Sequence, residues 1–364
     1  MRFHALACDY DGTIATEGRV PDSVVAVLEE LKRSGRKLIL VTGRTLDESL
    51  AIFPAIRLFS RVVLENGAVL YRPSTGESKT LAHRPPKEFV EQLKRRGVSP
   101  LHVGNVIVAT CRPHETAVLE VIRDLGLETH VIFNRGSVMA VPSGVNKATG
   151  LDAALRELEL SPHNVVGVGD AENDHAFLER CECSVAVANA LPSLKERADW
   201  VTPSPAGEGV AELGRRLLAD DFASIEPRLI RHELPLGEGL DGRPVRIRPH
   251  GLGMLIAGPS GGGKSTLATG IMERLRDSGY QFCVIDPEGD YQEVGGIAAL
   301  GGRDRVPSVK EALDVLEVPD QNLALNLLGV PLESRPAYLQ QLLPGLMSAQ
   351  GRTGRPHWII IDEA

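Results

Sequence analysis

Two rhythms of apolar residues run through the first 215 positions. Short runs that are apolar almost throughout recur at FHALACDY (3–10), KLILVTGR (37–44), RVVLENGAVLY (61–71), NVVGVGDAEND (164–174) and CSVAVANA (183–190). Between them lie stretches with apolar residues at helical spacing. In PDSVVAVLEELKRSG (21–35), Val24, Val27, Leu28 and Leu31 fall on one face, Pro21 suits a first turn and Gly35 a stop. LPSLKER (191–197) reads as a helix and ADWVTP (198–203) as a further short strand. Strands without polar alternation are buried on both faces, so repeated strand–helix units of this kind predict a parallel sheet covered by helices.

Between about 82 and 145 the pattern shifts. PKEFVEQLKRRG reads as a helix, LHVGNVIVAT as a strand, HETAVLEVIRDLG as a helix, and THVIFNR and SVMAVP as two strands. This predicts a small α/β insert between strands of the main sheet, placed where loops carry function.

Polar residues gather where the apolar runs end. Asp9 and Asp11 follow the first run, Thr42 and Gly43 the second, and Asp170, Asn173 and Asp174 a later one. Lys147, in GVNKATGL, opens a helix after the insert. Each has an ordinary use as a cap or turn residue. On one rim of one parallel sheet they form a set: carboxylates for a divalent metal, a hydroxyl and an ammonium for an anion. Phosphoryl transfer needs those groups, because its chemistry is mostly positioning and charge neutralisation.

The ordered motifs DYDGT, VTGR, NKATGL and GDAEND, with the flanking ENGA and AVANALPSLKERADWVT, resemble the haloacid dehalogenase superfamily of phosphatases, in its Cof-like branch. The resemblance covers residues 1 to about 215. It implies a core of residues 1–81 and 146–215 with a Rossmann-like sheet, and an α/β cap at 82–145. It implies Asp9 as the nucleophile that forms an aspartyl-phosphate, and Asp11 as the acid and base. Asp9, the backbone carbonyl of Asp11 and Asp170 would bind Mg²⁺, with Asp174 in support. Thr42, Gly43, Lys147 and Asn173 would hold phosphate, Asn173 also steadying the metal side. The cap of about 60 residues is short for the branch and nearer those of phosphoglycolate and sucrose-phosphate phosphatases. That implies a small phosphorylated acid or sugar as substrate.

A second chemistry begins after a stretch rich in Pro, Gly and Arg (216–250), which reads as a linker. In GLGMLIAGPSGGGKSTLATGIMERL (251–275) the run from Gly258 to Ser265 fits G-x-x-x-x-G-K-S between an apolar strand and a helix. Such a P-loop wraps phosphates in backbone N–H groups. Gly258, Ser260, Gly261, Gly263 and Thr266 would line the cradle, Lys264 would reach the β and γ phosphates of ATP, and Ser265 would hold Mg²⁺. QFCVIDPEGDY and HWIIIDEA are strands ending in Asp286 and in Asp362 and Glu363, fit to orient metal and water. These two stretches resemble HerA- and FtsK-like ATPases. That resemblance implies a P-loop α/β domain over 251–364, lacking the later strands of its family, and assembly of copies through it. The alternative to a phosphatase with an ATP-binding partner domain is therefore an ATP-driven motor or switch with an auxiliary phosphatase.

Composition adds exclusions. The chain of 364 residues is long enough for two domains, and 43% hydrophobic with 24% charged residues is a soluble balance. A net charge of −8 gives no support to DNA as a partner. No uncharged apolar run approaches the ~20 residues of a membrane span, and the amino-terminal apolar run is too short for a signal peptide. Five scattered cysteines suit reduced, buried thiols, and with them a cytoplasmic protein.

Overall fold

The structure is a computed structural model and describes residues 1–134, 136–251 and 253–363. Arg135 at the end of an expected cap strand, Leu252 before the P-loop and Ala364 after the acidic strand lie outside the described residues. The chain forms two compact units. One comprises Phe3–Leu158 and Asn164–Glu226, the other Met1–Arg2, Glu159–His163 and everything from Pro227 onward.

In the first unit the chain runs β1 (Ala5–Cys8), α1 (Asp22–Arg33), β2 (Lys37–Val41), α2 (Leu46–Ile52), β3 (Arg61–Leu64), β4 (Val69–Arg72) and β5 (Glu77–Thr80). The cap follows: α3 (Lys87–Arg95), β6 (His102–Val103), β7 (Val108–Cys111), α4 (Glu115–Asp124), β8 (Thr129–Asn134) and β9 (Ser137–Pro142). The core resumes with α5 (Lys147–Glu157), β10 (Val165–Gly169), α6 (His175–Arg180), β11 (Cys183–Ala186), α7 (Pro192–Arg197), β12 (Trp200–Val201) and α8 (Ala206–Asp220).

The core sheet has the order β12-β11-β10-β1-β2-β3-β4-β5. It is parallel from β12 to β3, and β4 and β5 are antiparallel. β1 and β10 are buried along their whole length, as fully apolar strands should be when helices cover both faces. Val24, Val27, Leu28 and Leu31 are the buried face of α1. Gly35, at φ +93°, turns the chain out of that helix. β5, of sequence ESKT, is exposed at every position and is held by backbone pairing to β4. No apolar period marks such an edge strand, and sequence reasoning passed over it.

The register of β1 places the site. Cys8 lies opposite Val168 of β10 and Leu40 of β2. The residues just after these three strands therefore emerge at one rim. The chain leaves β1 for β2 on one side and returns at β10 on the other. In open parallel sheets, ligands bind at such a switch point, outside the carboxyl ends of the strands.

The cap is a four-stranded antiparallel sheet, order β6-β7-β9-β8. Phe89, Leu93, Val118 and Val121 of α3 and α4 pack on Val108, Val138 and Ala140 of that sheet. The expected single strand LHVGNVIVAT is two, because Gly104 to Ile107 form a tight turn, closed by Gly104 N–H donating to Ile107 O at 2.9 Å.

The second unit opens with a hairpin, β13 (Leu234–Glu238) and β14 (Pro244–Ile247). This corrects the reading of 216–250 as a linker. Gly239 and Gly242 form the turn of the hairpin, Pro235, Gly237 and Pro244 lie within its strands, and Leu234 is buried against Ile271, Met272, Tyr280 and Phe282. Then come α9 (Lys264–Asp277), β15 (Phe282–Asp286), β16 (Ile297–Gly301), α10 (Val309–Glu317), β17 (Asn322–Asn326), α11 (Arg335–Thr353) and β18 (Trp358–Ile361). The sheet is parallel, order β16-β17-β15-β18. The strand expected before the P-loop does not form: Gly253 to Pro259 pair with no described strand, and Leu255 is 87% exposed. An apolar run becomes a strand only when a neighbour takes its backbone groups. No helix among the described residues is long and apolar enough to cross a membrane.

Candidate active site

Asp9 sits just past β1 and is 5% exposed. Lys147 is the first residue of α5, whose cap is Asn146. The Asn146 side chain accepts from the N–H groups of Ala148 and Thr149 at 2.9 and 3.0 Å. A buried lysine at the positive end of a helix needs strong partners. It has two: its Nζ donates to Asp9 Oδ1 and to Asp174 Oδ1, each at 2.5 Å. Burial alone would lower the Lys147 pKa. Asp174 and Asp9 outweigh burial and hold it above the ordinary value.

Asp170 and Asp174 come from the loop after β10. Asp174 Oδ2 accepts from the backbone N–H groups of Asp170 and Ala171 at 2.8 and 2.9 Å. Gly169 makes room for this folding back, since a Cβ there would lie 2.7 Å from Asp174 Oδ2. Asp170 Oδ1 accepts from the Thr13 hydroxyl at 3.1 Å. Carboxylate oxygens of Asp9, Asp170 and Asp174 lie within 4.8 Å of one another, all three residues being buried.

Three carboxylates against one ammonium leave an excess of buried negative charge. Burial, and after it the charge of Asp174, push the Asp9 carboxyl up to about 7, although Lys147 pulls the other way. Near Asp174, Asn173 donates its amide to Asn66 Oδ1 at 2.9 Å, and no donor among the described residues reaches its buried Oδ1. Hard oxygen donors, excess negative charge and an unused acceptor fit a Mg²⁺ ion. The free group of Asn173 is thus an acceptor, which suits a cation.

Asp11 stands apart from the triad. Arg44 grips it from two sides, Nε to Oδ2 and Nη2 to Oδ1, both at 2.7 Å. The metal role of Asp11 was expected of its backbone carbonyl, and its side chain is engaged elsewhere. Arg44 closes the motif VTGR, and nothing in that motif points to its partner. Thr42 is buried, and its hydroxyl accepts from Arg44 N–H at 3.2 Å. Gly43 is half-buried beside the Asn66 amide.

Glu65 and Asn66 were also missed, although ENGA was noted. Both have left-handed backbones, at φ +52° and +53°, a strain on the order of 1–3 kcal/mol each. Gly67 follows at φ +104°, where a Cβ would lie 1.9 Å from Asn146 O. This bend carries Asn66 to Asn173 on the core side and, by a bond of 3.0 Å, to Met139 Sδ in β9.

Residues 6–104 and 134–213 match the family model of haloacid dehalogenase-like hydrolases. Over 223 residues the chain is 33% identical to a phosphoglycolate phosphatase of Methanothermobacter thermautotrophicus, a match covering 59% of this chain and 98% of that protein. The chain belongs to the haloacid dehalogenase-like hydrolases. A phosphoglycolate phosphatase 2 of Saccharolobus solfataricus is 30% identical over 224 residues, 60% of this chain and 93% of that protein. A solved haloacid dehalogenase-like hydrolase of Bacteroides thetaiotaomicron shares the fold, with a TM-score of 0.53 at 18% identity, over 59% of this chain and 99% of that one. The fold and aspartate cluster of this hydrolase both lie in its first unit.

In the second unit, Gly258 to Gly263 form an exposed loop that runs directly into α9. Gly261 and Gly263 take φ of +74° and +86°, and Ser260 lies between them and Gly258. Lys264, Ser265 and Thr266 are the first turn of α9, and the Lys264 ammonium reaches Pro259 O at 3.4 Å. Asp286 is buried, and its carboxylate accepts from N–H groups of its own loop, Gly289, Asp290 and Tyr291, at 2.7–3.1 Å. Asp362 follows β18 and accepts from the Tyr291 hydroxyl at 2.8 Å, and Glu363 is the next residue.

Proposed function

We propose that the first unit is a Mg²⁺-dependent phosphomonoesterase working through an aspartyl-phosphate on Asp9. The carrying observation is the buried Lys147 ammonium held between Asp9 and Asp174, with Asp170 beside them. Asp9 Oδ attacks phosphorus, the ester oxygen departs, and water later cleaves the acyl phosphate to restore the carboxylate. Lys147 keeps Asp9 oriented and balances charge on the phosphate. The Thr42 hydroxyl and Gly43 N–H bind phosphate oxygens. Asp11, steered by Arg44, gives a proton to the leaving alcohol and takes one from the attacking water. Asp9, the Asp11 carbonyl and Asp170 would hold Mg²⁺, supported by Asp174 and the Asn173 oxygen. When bound, the ion neutralises phosphate charge and removes the repulsion between two anions.

For substrate we propose a small phosphorylated acid of the phosphoglycolate kind. The name of the two relatives supports this over a sugar phosphate. Phosphate release from 2-phosphoglycolate, glucose 6-phosphate and p-nitrophenyl phosphate with Mg²⁺ tests it. The highest kcat/KM is expected on 2-phosphoglycolate. A preference for the sugar phosphate would overturn the substrate, and no release from any of the three would overturn the activity.

The second unit we read as an ATP-binding P-loop domain of HerA- and FtsK-like type. Its support is the glycine loop entering α9 at Lys264 and Ser265, and adjacent parallel strands, β15 ending in Asp286 and β18 followed by Asp362. The same features leave an ATP-driven motor or switch, assembled from several copies, as the alternative role.

A further inference from the structure

Glu65 carries a set of contacts that hydrolysis itself does not require. It is fully buried, yet its carboxylate is bonded to no cation among the described residues. It accepts instead from three successive backbone N–H groups of the cap turn: Asn105 to Oε1 at 2.8 Å, and Val106 and Ile107 to Oε2 at 2.8 and 3.0 Å. The turn fits this anion closely. A Cβ on Gly104 would lie 2.6 Å from Glu65 Oε2. On its other side the turn is held by Arg84, whose guanidinium donates to Asn105 O and Gly104 O at 2.8 and 2.9 Å. Successive N–H groups converging in this way form an anion-binding nest.

The backbone of the same residue is tied to the reaction site. Glu65 N–H donates to Arg44 O at 3.0 Å, and Asn66 N–H to Thr42 O at 3.1 Å. One strained dipeptide thus joins the cap turn to the loop bearing Thr42 and Arg44. The cap lies over the site: β8 packs on residues 172–174, and Met139 of β9 meets Asn66. Asp9, Thr42, Lys147, Asp170 and Asp174 are each 5% exposed or less. A phosphate ester reaches them only when the cap moves away.

We propose that Glu65 is the catch of the cap. Cap opening breaks its three bonds to residues 105–107, and closing over substrate remakes them and fixes the Thr42–Arg44 loop. A carboxylate suits a reversible catch. Buried, it needs all three donors, and lifted free it regains water in their place. Glu65 is a positioning residue, touching neither phosphate nor metal. That it serves hydrolysis rests on the phosphatase reading; that it holds the cap does not.

The test is hydrogen exchange on the full chain, read at the amides of 105–107, beside kcat and KM for p-nitrophenyl phosphate. In Glu65→Ala these amides should exchange about tenfold faster or more, while β1 and β10 keep their protection. Glu65→Gln, which keeps one acceptor oxygen, should fall between. Gly104→Ala, a change confined to the cap, should reproduce the effect by displacing the carboxylate, and it covers the case in which Glu65→Ala does not fold. The variants should also lose kcat more than they raise KM. Faster exchange in a protein that hydrolyses no ester supports the catch and overturns only the phosphatase reading. Unchanged exchange at 105–107 in folded Glu65→Ala or Gly104→Ala overturns the catch.

Discussion

Asp9 and Asp11 are two positions apart, yet the fold sends their carboxylates to different partners. Asp9 meets Lys147 in a buried cluster, and Asp11 meets Arg44 in a half-exposed pair. Under the proposed mechanism the nucleophile has to be aimed and the proton carrier has to reach the leaving group, so separate surroundings would serve the two tasks. Arg44 therefore matters to the second task. Arg44→Ala should lower kcat for p-nitrophenyl phosphate by about 10²-fold, the lower end of what general acid–base catalysis contributes, and move KM less. Arg44→Lys should restore only part, since one ammonium cannot bridge both oxygens as a guanidinium does. Equal kcat in all three proteins would free Asp11 from this guidance. At this scale the sequence was legible where a residue ends an apolar run, as with Asp9, Thr42 and Asp170, or opens a helix, as with Lys147. It was silent on pairings. Nothing in VTGR or ENGA says that Arg44 turns to Asp11 or that Glu65 turns to the cap, because those contacts join segments 33 and about 41 residues apart.

Among the elements, legibility followed burial. β1, β2 and β10, apolar throughout, and α1, with its clean helical period, stand where their patterns put them. β5 and the β13–β14 hairpin were passed over, since exposed strands rest on backbone pairing, and pairing leaves little mark in composition. The run 253–259 failed in the opposite sense: it has the apolar content of a strand and no partner strand among the described residues. The P-loop reading therefore stands on the loop and on α9. The ammonium at the start of α9 stands on the exposed loop, bonded to Pro259 O, and phosphates would meet both it and the backbone N–H groups at the helix N-terminus. Lys264→Ala should weaken binding of a fluorescent ATP analogue about tenfold or more, as a charge-assisted contact is lost. Equal affinity in the folded variant would remove the nucleotide from this loop.

For the molecule as a whole, the chain divides into two units with a boundary at Glu226–Pro227, Met1–Arg2 and Glu159–His163 going with the second. All the cysteines but Cys111 are buried. Burial pushes the Cys283 thiol up to about 12, which fits thiols that fill space and take no part in chemistry. The first unit brings one complete set of groups for phosphoryl transfer to one rim, and its family membership agrees with that chemistry. The account rests on Asp9. Its most direct test is steady-state phosphate release from p-nitrophenyl phosphate by the full chain and by Asp9→Asn, with Mg²⁺ and after EDTA. The native protein should turn over with Mg²⁺, stop in EDTA and recover when Mg²⁺ is returned. Asp9→Asn, folded but carrying an amide that cannot attack phosphorus, should release none above background. Substantial turnover by Asp9→Asn would contradict the account.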